Sequence, residues 1–229
     1  ANALLAKIET IHRLIRVDGA RAQSTAAQCL PRSAAQRHNP LVVIGASAGG
    51  PAALAKVLAH LPAGFAAPVI IVQHVDAQFA AGLADWLDRQ SPLQVRLARE
   101  GDRPQAGTVL LAGQDHHLVF ASPTRLVYDR HPSDCSCRPS IDLFFKSAAR
   151  FWPGSMIGVL LTGMGRDGAE GLRLLRAQGH LTIAQDRLSS AVYGMPAAAE
   201  LGAASEVLSL DKIGPRLTNI VMQQIQVHG

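Results

Sequence analysis

Three polar residues that could act together in catalysis each follow an apolar, strand-like segment of the sequence. They are Ser47 in a glycine-rich corner, His74 directly after Gln73, and Asp167 in a second glycine-rich stretch. A serine hydroxyl is too weakly acidic to attack an ester unaided. An imidazole can take its proton at neutral pH, and a carboxylate can fix the tautomer of that imidazole. Together the three residue types predict a serine-type hydrolysis through a covalent intermediate.

Each of the three residues also has a simpler interpretation. The corner around Ser47 could be a structural or anion-binding turn, since glycine permits a sharp turn and close backbone approach. It does not match the dinucleotide-binding fingerprint, because Ser47 occupies the second glycine position, and the sequence has no Walker-type phosphate loop. His74 could be a buried strand-end histidine, and Asp167 could cap a helix beginning near Gly168.

The elements that must position these residues alternate between strand-like and helix-like segments from Leu41 onward. Continuous apolar strands alternating with helices predict an α/β fold with a doubly wound, mainly parallel sheet and helices on both faces. Two short runs around a Ser-Pro-Thr turn, 118–120 and 126–128, predict a small antiparallel hairpin. The predicted strands are 41–45, 68–73, 93–98, 107–112, 156–162, 180–185 and 204–209, and the predicted helices are 51–60, 79–90, 140–151, 168–178, 195–201 and 211–226.

The three candidate catalytic residues all leave apolar strands at the same predicted edge of the sheet. Ligands of open α/β sheets bind beyond the carboxyl ends of the strands, so the side chains could converge there. Their order along the chain is Ser, His, Asp, whereas the α/β-hydrolases follow the order Ser, Asp or Glu, His. This difference disfavours an ordinary lipase-like fold.

Several motifs, in a consistent order, resemble those of the CheB family, the protein-glutamate methylesterases of bacterial chemotaxis-type pathways. The resemblance runs from about Leu41 to Leu217. The motifs are IGASAGG at 44–50, QH at 73–74, RPSID at 138–142, LTGMGRDG at 161–168 and AVYGMP at 191–196. Within the family, ALLAKI at 3–8, QHVD at 73–76 and Arg166 most resemble the WspF-type member of Wsp surface-sensing systems.

The resemblance implies roles for individual residues. Ser47 would be the nucleophile, His74 the general base and then acid, and Asp167 the carboxylate that orients His74. The main-chain N–H of Met164 would belong to the oxyanion site. We also expect Ala48, Gln73 and Gly163 among the oxyanion and substrate-binding residues. The Asp115-His116-His117 loop borders the cleft in the family, so His117 would either lie close to the substrate or have a structural role. The implied substrates are γ-glutamyl methyl esters on the cytoplasmic helical region of a chemoreceptor. Some members of the family also deamidate receptor glutamine.

The N-terminal part of the chain differs in character from the rest. Apolar residues at helical spacing predict an amphipathic helix in residues 1–16, and a composition rich in Ala, Gln, Arg and Ser predicts a linker in residues 17–40. Residues 41–229 are the predicted methylesterase domain. The resemblance implies that the helix is the end of a phospho-receiver domain otherwise absent from this chain, so phosphorylation control would need that partner. The alternative is a genuine N-terminal arm.

Composition excludes several classes of protein. Six Lys or Arg and only two acidic residues lie in residues 1–40, so most of the formal charge of +5 belongs to that segment and predicts no nucleic-acid surface on the domain. No apolar run approaches a membrane span and no signal peptide is recognisable, which predicts a cytoplasmic protein without membrane insertion. We expect no cofactor and no metal. Cys135 and Cys137 are separated by only one residue, which is too close in sequence for an ordinary zinc pair. The Asp115-His116-His117 stretch has no third ligand at helical spacing.

Two rival functions remain open on the sequence alone. A serine esterase acting on small molecules would have a deep apolar acyl pocket, whereas an enzyme acting on a receptor would have a shallow cleft open to a helical bundle. A non-catalytic module would chiefly bind the receptor or its receiver partner, although the presence of Ser47, His74 and Asp167 argues against it.

Overall fold

A parallel sheet of seven strands forms the centre of the molecule in the computed structural model, which describes residues 40–135 and 137–228. The strands of the described residues are β1 (Leu41–Ala46), β2 (Val69–Gln73), β3 (Gln94–Leu97), β4 (Thr108–Leu111), β5 (His117–Ser122), β6 (Arg125–Asp129), β7 (Met156–Leu160), β8 (Leu181–Gln185) and β9 (Glu206–Leu208). The sheet has the order β3-β4-β2-β1-β7-β8-β9 with parallel pairings throughout, and β5 and β6 form a separate antiparallel hairpin.

Helices cover both faces of the sheet. Those of the described residues are α1 (Gly50–Ala59), α2 (Ala77–Gln90), α3 (Ile141–Phe151), α4 (Ala169–Ala177), α5 (Met195–Glu200) and α6 (Leu210–His228). Alternate residues of β1 belong to two separate cores: Val42 and Ile44 pack with α1, α2 and α6, while Leu41 and Val43 pack with α3, α4 and α5. Every residue of β1 is therefore buried. The predicted doubly wound α/β fold with an added hairpin is confirmed.

The three central strands bring the candidate catalytic segments together. Strand β1 pairs with β2 up to the pair Ala46 and Gln73, and with β7 up to the pair Gly45 and Leu160. The chain first winds from β1 towards β2 and later returns to β7 on the other side of β1. Such a reversal leaves a crevice at the carboxyl ends of the strands, which is where ligands of open α/β sheets bind.

The hairpin packs on α3 through aromatic side chains. The ring of Phe120 lies 6.0 Å from that of Phe144 and 5.9 Å from that of Trp152, measured between centroids. The N–H of Phe120 also donates to Ser147 Oγ at 3.0 Å. The hairpin therefore supports the helix whose first residues reach the crevice.

The predicted elements of the described residues agree with the observed ones to within two residues at each end. Helix α2 begins earlier than predicted because the carboxylate of Asp76 accepts the N–H of Gln78 at 3.0 Å and caps the helix. Strand β7 ends two residues early, and beyond it the N–H of Thr162 donates to the side chain of Gln185 at 2.8 Å. A side-chain acceptor thus fixes the start of α2, and another binds the chain just beyond β7.

The predicted helix at 1–16 and nearly all of the predicted linker at 17–40 lie outside the described residues. Within the part of the chain that the structure describes, none of the helices has the length and apolarity that a membrane crossing requires.

Candidate active site

Ser47 stands in the turn between β1 and α1. Its N–H donates to Thr162 O at 3.0 Å, and its carbonyl accepts from Gly50 N at 2.8 Å and from Gln73 Nε2 at 2.9 Å. Gly49 has φ +77°, a left-handed conformation that favours glycine, and Pro51 lies in the first turn of α1. The serine backbone is therefore held from three sides, while its side chain remains partly exposed.

His74 directly follows β2 and lies across the crevice from the end of β7. Its backbone N–H donates to Ala46 O at 3.0 Å, which extends the pairing of β2 with β1 to the edge of the site. Its ring Nε2 lies 2.9 Å from Asp167 Oδ2, and the His74 side chain is 16% exposed. With Nε2 donating to the carboxylate, the nitrogen left with a lone pair is Nδ1.

Asp167 accepts hydrogen bonds at both carboxylate oxygens. Its Oδ1 accepts from Ser140 Oγ at 3.0 Å and from Asp142 N at 3.0 Å. Its Oδ2 accepts from Ile141 N at 2.7 Å as well as from His74 Nε2. These donors, apart from His74, form the N-terminus of α3, where the helix dipole favours an anion.

The electrostatic consequence of this arrangement is an Asp167 that stays ionised. Burial alone would raise its pKa, but the hydrogen bond from His74 and those from the Asp142 and Ile141 N–H groups outweigh burial, so its pKa is lowered from the ordinary value. Asp167 was alternatively predicted to cap the following helix. The cap of α4 is instead Gly168, with φ +93°, and the carboxylate of Asp167 turns to α3.

Two backbone N–H groups at the edge of the crevice are available to a ligand. No acceptor among the described residues takes the N–H of Ala48 or of Met164. Ala48 is exposed and Met164 is 78% exposed. The hydroxyl of Ser47 likewise donates to no described residue. Main-chain N–H groups in such positions can stabilise an oxyanion.

Gln73 and Gly163, predicted among the oxyanion and substrate-binding residues, use their side-chain and backbone N–H donors, respectively, within the fold. Gln73 is 2% exposed, and its Nε2 donates to the carbonyls of Ser47 and of His74, at 2.9 and 3.0 Å. The N–H of Gly163 donates to Val192 O at 3.0 Å. A Cβ on Gly163 would lie 2.7 Å from Ser47 Cβ. Both residues therefore hold the site together instead of offering donors to a ligand.

His117 lies inside the fold, beside the cap residue of α3. Its side chain is fully buried, Nδ1 accepts the N–H of Ser140 at 3.1 Å, and Nε2 lies 3.1 Å from Pro132 O. An acceptor role at Nδ1 and a donor role at Nε2 define a neutral tautomer. His117 therefore positions Ser140, which in turn contacts Asp167, and these contacts correspond to the structural one of its two predicted roles.

Sequence reasoning did not select three residues that the structure brings to the site. Ser140 caps α3 and donates to Asp167, and a serine before a helix of this kind is a recognisable capping signal. Thr162 joins two loops, since its hydroxyl donates to Ala48 O and accepts the N–H of Val192, each at 2.9 Å. Cys137 places its Sγ with ligand atoms of His74 and Asp167, all within 4.8 Å of one another. The cysteine was predicted only as a thiol on a loop.

Two open grooves flank the pair formed by His74 and Asp167. The groove on the Asp167 side has a volume of about 630 Å³, and that on the His74 side a volume of about 380 Å³. The larger is lined by charged side chains, among them Lys146, Arg166, Glu170 and Arg173. Neither groove resembles the enclosed apolar pocket that an esterase for small acyl groups would use.

With this geometry established, comparison with known proteins defines the family. The sequence profile described as CheB methylesterase matches residues 42–217, which is most of the chain. The chain belongs to the CheB methylesterase family. The matched range contains Ser47, His74 and Asp167, and its limits lie close to those of the resemblance found in the sequence.

Curated and solved relatives extend this comparison. A Pseudomonas fluorescens protein named protein-glutamate methylesterase/protein-glutamine glutaminase 1 is 59% identical over 96% of this chain and 65% of its own length. A Mesorhizobium japonicum protein with the same name apart from the numeral is 56% identical over 95% of this chain and 63% of its own length. The chain thus spans a little under two thirds of these relatives. The crystal structure of the Thermotoga maritima CheB methylesterase catalytic domain, 35% identical, matches with a TM-score of 0.76 and covers 80% of this chain and 99% of that chain.

Proposed function

We propose that this chain hydrolyses γ-methyl esters of glutamate on the cytoplasmic helical region of chemoreceptors and releases methanol. The observation that carries the proposal is the hydrogen bond of 2.9 Å between His74 and Asp167, which spans the carboxyl end of β1 where Ser47 stands. The names of the curated relatives support the choice of substrate. Chemotaxis-type adaptation is the process in which such a reaction would act.

The roles of the residues follow from their hydrogen bonds. Ser47 Oγ attacks the ester carbonyl and gives its proton to Nδ1 of His74, because Nε2 is held by Asp167. The negative charge of Asp167 stabilises the imidazolium that forms. The N–H groups of Ala48 and Met164 donate to the oxyanion of the tetrahedral intermediate.

Two half-reactions complete the cycle. Collapse of the first intermediate breaks the bond from the carbonyl carbon to the methoxy oxygen, and His74 returns its proton so that methanol leaves. Water, deprotonated by the same imidazole, then attacks the acyl-serine and releases the glutamate carboxylate and Ser47. The same cycle acting on a glutamine side chain would release ammonia. We include this deamidation in the proposal because the relatives' names contain protein-glutamine glutaminase.

The open, charged grooves favour a protein substrate over a small one. A helical bundle presents its ester side chain from a convex surface, which an open cleft with charged walls can approach. A small-molecule esterase needs an enclosed apolar pocket, whereas the grooves beside the site are open and include charged side chains in their linings.

We further propose the finer assignments that the sequence motifs favour. Residues 1–16 would be the end of a phospho-receiver domain, residues 17–40 its linker, and residues 41–229 the catalytic domain of a WspF-type cytoplasmic enzyme. The receiver domain would then be a regulatory partner of this chain. Arg166 and the QHVD motif at 73–76 support the WspF-type assignment.

Methanol release from a methylated receptor cytoplasmic fragment tests the proposed reaction. The chain is incubated separately with this fragment, with the unmethylated fragment and with a small activated acyl ester. We expect methanol from the methylated fragment and only slow hydrolysis of the small ester. Efficient turnover of the small ester without methanol release from the receptor would support the esterase alternative. Binding of the receptor without either reaction would support the non-catalytic module.

A further inference from the structure

Cys137 brings a third type of metal-binding atom to the proposed catalytic pair. A nitrogen of His74, Sγ of Cys137 and an oxygen of Asp167 all lie within 4.8 Å of one another. The three residues come from different parts of the chain: the end of β2, the loop before α3, and the loop after β7. All three are partly buried.

The three donor atoms match the preferences of one kind of ion. Thiolate, imidazole and carboxylate are all zinc ligands, at distances of about 2.3, 2.0 and 2.1 Å. In a tetrahedral site, these bonds put neighbouring donor atoms about 3.3 to 3.6 Å apart. His74 Nε2 and Asp167 Oδ2, now 2.9 Å apart, would separate slightly, and Cys137 Sγ would approach them by rotation of its side chain. A soft thiolate also selects zinc over magnesium or calcium.

We propose that His74, Cys137 and Asp167 form a binding site for a thiophilic divalent cation, Zn²⁺ in the first instance, with water as its fourth ligand. The ion replaces the shared proton between His74 Nε2 and Asp167 Oδ2. The imidazole proton then resides on Nδ1, and the thiol proton is released to solvent, so that one proton leaves the protein for each ion bound. The two anionic ligands balance the charge of the ion.

The hydrogen bonds around Asp167 make it suitable for this role. When the ion takes the place of the His74 donor, three donors remain on the carboxylate: Ser140 Oγ, Ile141 N and Asp142 N, at 3.0, 2.7 and 3.0 Å. Hydrogen bonds of this kind hold a ligating carboxylate in orientation and strengthen metal binding. The carboxylate therefore needs little rearrangement to become a ligand.

Binding of the ion has a consequence for the reaction, and this consequence rests on the proposed function. With the proton on Nδ1 and the ion on Nε2, His74 has no lone pair for the hydroxyl proton of Ser47. The zinc-bound protein would thus be inactive, and removal of zinc would restore it. The site would make the enzyme sensitive to zinc through a cysteine that the triad itself does not require.

Direct binding of Zn²⁺ tests the site without any assay of activity. The full chain, with Cys29→Ser in every variant to remove the remaining thiol, is titrated with Zn²⁺ by calorimetry and by competition with a chromophoric chelator. Cys135→Ala is the matched control, because it removes a thiol from the same loop two residues away. We expect one ion per chain in the parent and in Cys135→Ala. In Cys137→Ala the affinity for Zn²⁺ should fall by at least about tenfold. Loss of a residue that only hydrogen-bonds to a metal ligand already lowers metal affinity by about 10- to 100-fold, and loss of a ligand should cost no less.

Co²⁺ in place of Zn²⁺ reports the ligands directly. A thiolate-to-cobalt charge-transfer band should appear in the parent and in Cys135→Ala and be absent in Cys137→Ala. Cys137→Ser preserves the size and polarity of the side chain and should behave like Cys137→Ala, which guards against a variant that fails to fold. Equal zinc affinity in the parent and both Cys137 variants, or no ion bound by the parent, would overturn the site.

Inhibition of methanol release distinguishes this proposal from the proposed function. We expect Zn²⁺ to inhibit the parent reversibly, with recovery on addition of a chelator, and to inhibit Cys137→Ala only at concentrations at least about tenfold higher. If zinc binds through Cys137 but no methanol is released under any condition, the proposed function fails and the site stands. If methanol is released and its rate is unchanged at zinc concentrations that saturate the site, His74 is not a ligand and the proposed set of three ligands is wrong.

Discussion

Nε2 of His74 lies 2.9 Å from Oδ2 of Asp167, and this pair leaves Nδ1 as the imidazole atom that can accept a proton. The carboxylate is fixed by the N-terminus of α3, and the backbone of His74 is fixed by its hydrogen bond to Ala46 O at the end of β1. The relative position of the two side chains is therefore set by the sheet and by one helix.

The hydrogen bond between His74 and Asp167 predicts a large effect of Asp167→Asn on turnover. An amide at this position can no longer fix the productive tautomer or stabilise the imidazolium, so kcat for methanol release should fall roughly 10⁴-fold, as in other triads. Initial rates on a methylated receptor fragment measure this, and circular dichroism checks that the fold is retained. Turnover close to that of the wild type in a folded Asp167→Asn would mean that His74 acts without the carboxylate.

Opposite pKa shifts of two neighbouring aspartates predict opposite pH effects on stability. Because the pKa of Asp167 is lowered, its contribution to stability is fully present above the unfolded value of about 3.9 and is lost as pH falls through the folded value. Burial raises the pKa of Asp142. The hydrogen bond from Gly171 N lowers this pKa and the charge of Asp167 raises it, and the net shift is upward. The ionised form of Asp142 therefore lowers the stability of the fold at neutral pH.

Chemical unfolding of the wild type, Asp167→Asn and Asp142→Asn at several pH values, in the presence of a chelator, measures how the stability contribution of each carboxylate changes with pH. The free energy of unfolding of the wild type minus that of Asp167→Asn should shrink as pH falls from about 6 towards 3. The same difference taken with Asp142→Asn should grow over this range. Two differences that change in the same direction with pH would contradict the account of the two carboxylates.

The side chain of Gln73 predicts a combined effect on stability and turnover. Its Nε2 donates to the carbonyls of Ser47 and His74, so it ties the proposed nucleophile to the proposed base. Gln73→Leu leaves these carbonyls with one partner fewer and should lower the free energy of unfolding by about 1–3 kcal/mol. It should lower kcat for methanol release more than it changes KM, since no donor to substrate is removed. A large rise in KM at unchanged kcat would instead indicate that Gln73 binds substrate.

Close approach at Gly163 predicts that even alanine is not tolerated there. A Cβ at this position would lie 2.2 Å from Met195 Sδ and 2.7 Å from Ser47 Cβ. Gly163→Ala should therefore shift both neighbours and lower the free energy of unfolding by about 1–3 kcal/mol, with loss of turnover. Gly64→Ala is the matched control, because a Cβ there meets no atom within 4 Å. Equal stability and activity of the two variants would show that Ser47 is not positioned by this contact.

Hydrophobic periodicity was sufficient to predict the fold, because continuous apolar strands alternating with amphipathic helices leave few arrangements other than a doubly wound sheet. It also placed Ser47, His74 and Asp167 at the carboxyl edge. It could not reveal that His117 is buried, since a histidine beside Asp115 and His116 has the same local pattern whether it faces solvent or the core. The place of Cys137 beside His74 depends on the path of a loop, which sequence periodicity does not define.

Turnover of Ser47→Ala, compared with that of Ser155→Ala, tests the central claim most directly. Ser155 lies at the opposite edge of the sheet, where its carbonyl accepts the N–H of Leu41 at the start of β1. Methanol release from a methylated receptor fragment is measured for both variants and for the wild type. We predict a loss on the order of 10⁶ in kcat for Ser47→Ala and near wild-type turnover for Ser155→Ala. Near wild-type methanol release by a folded Ser47→Ala protein would contradict the serine mechanism.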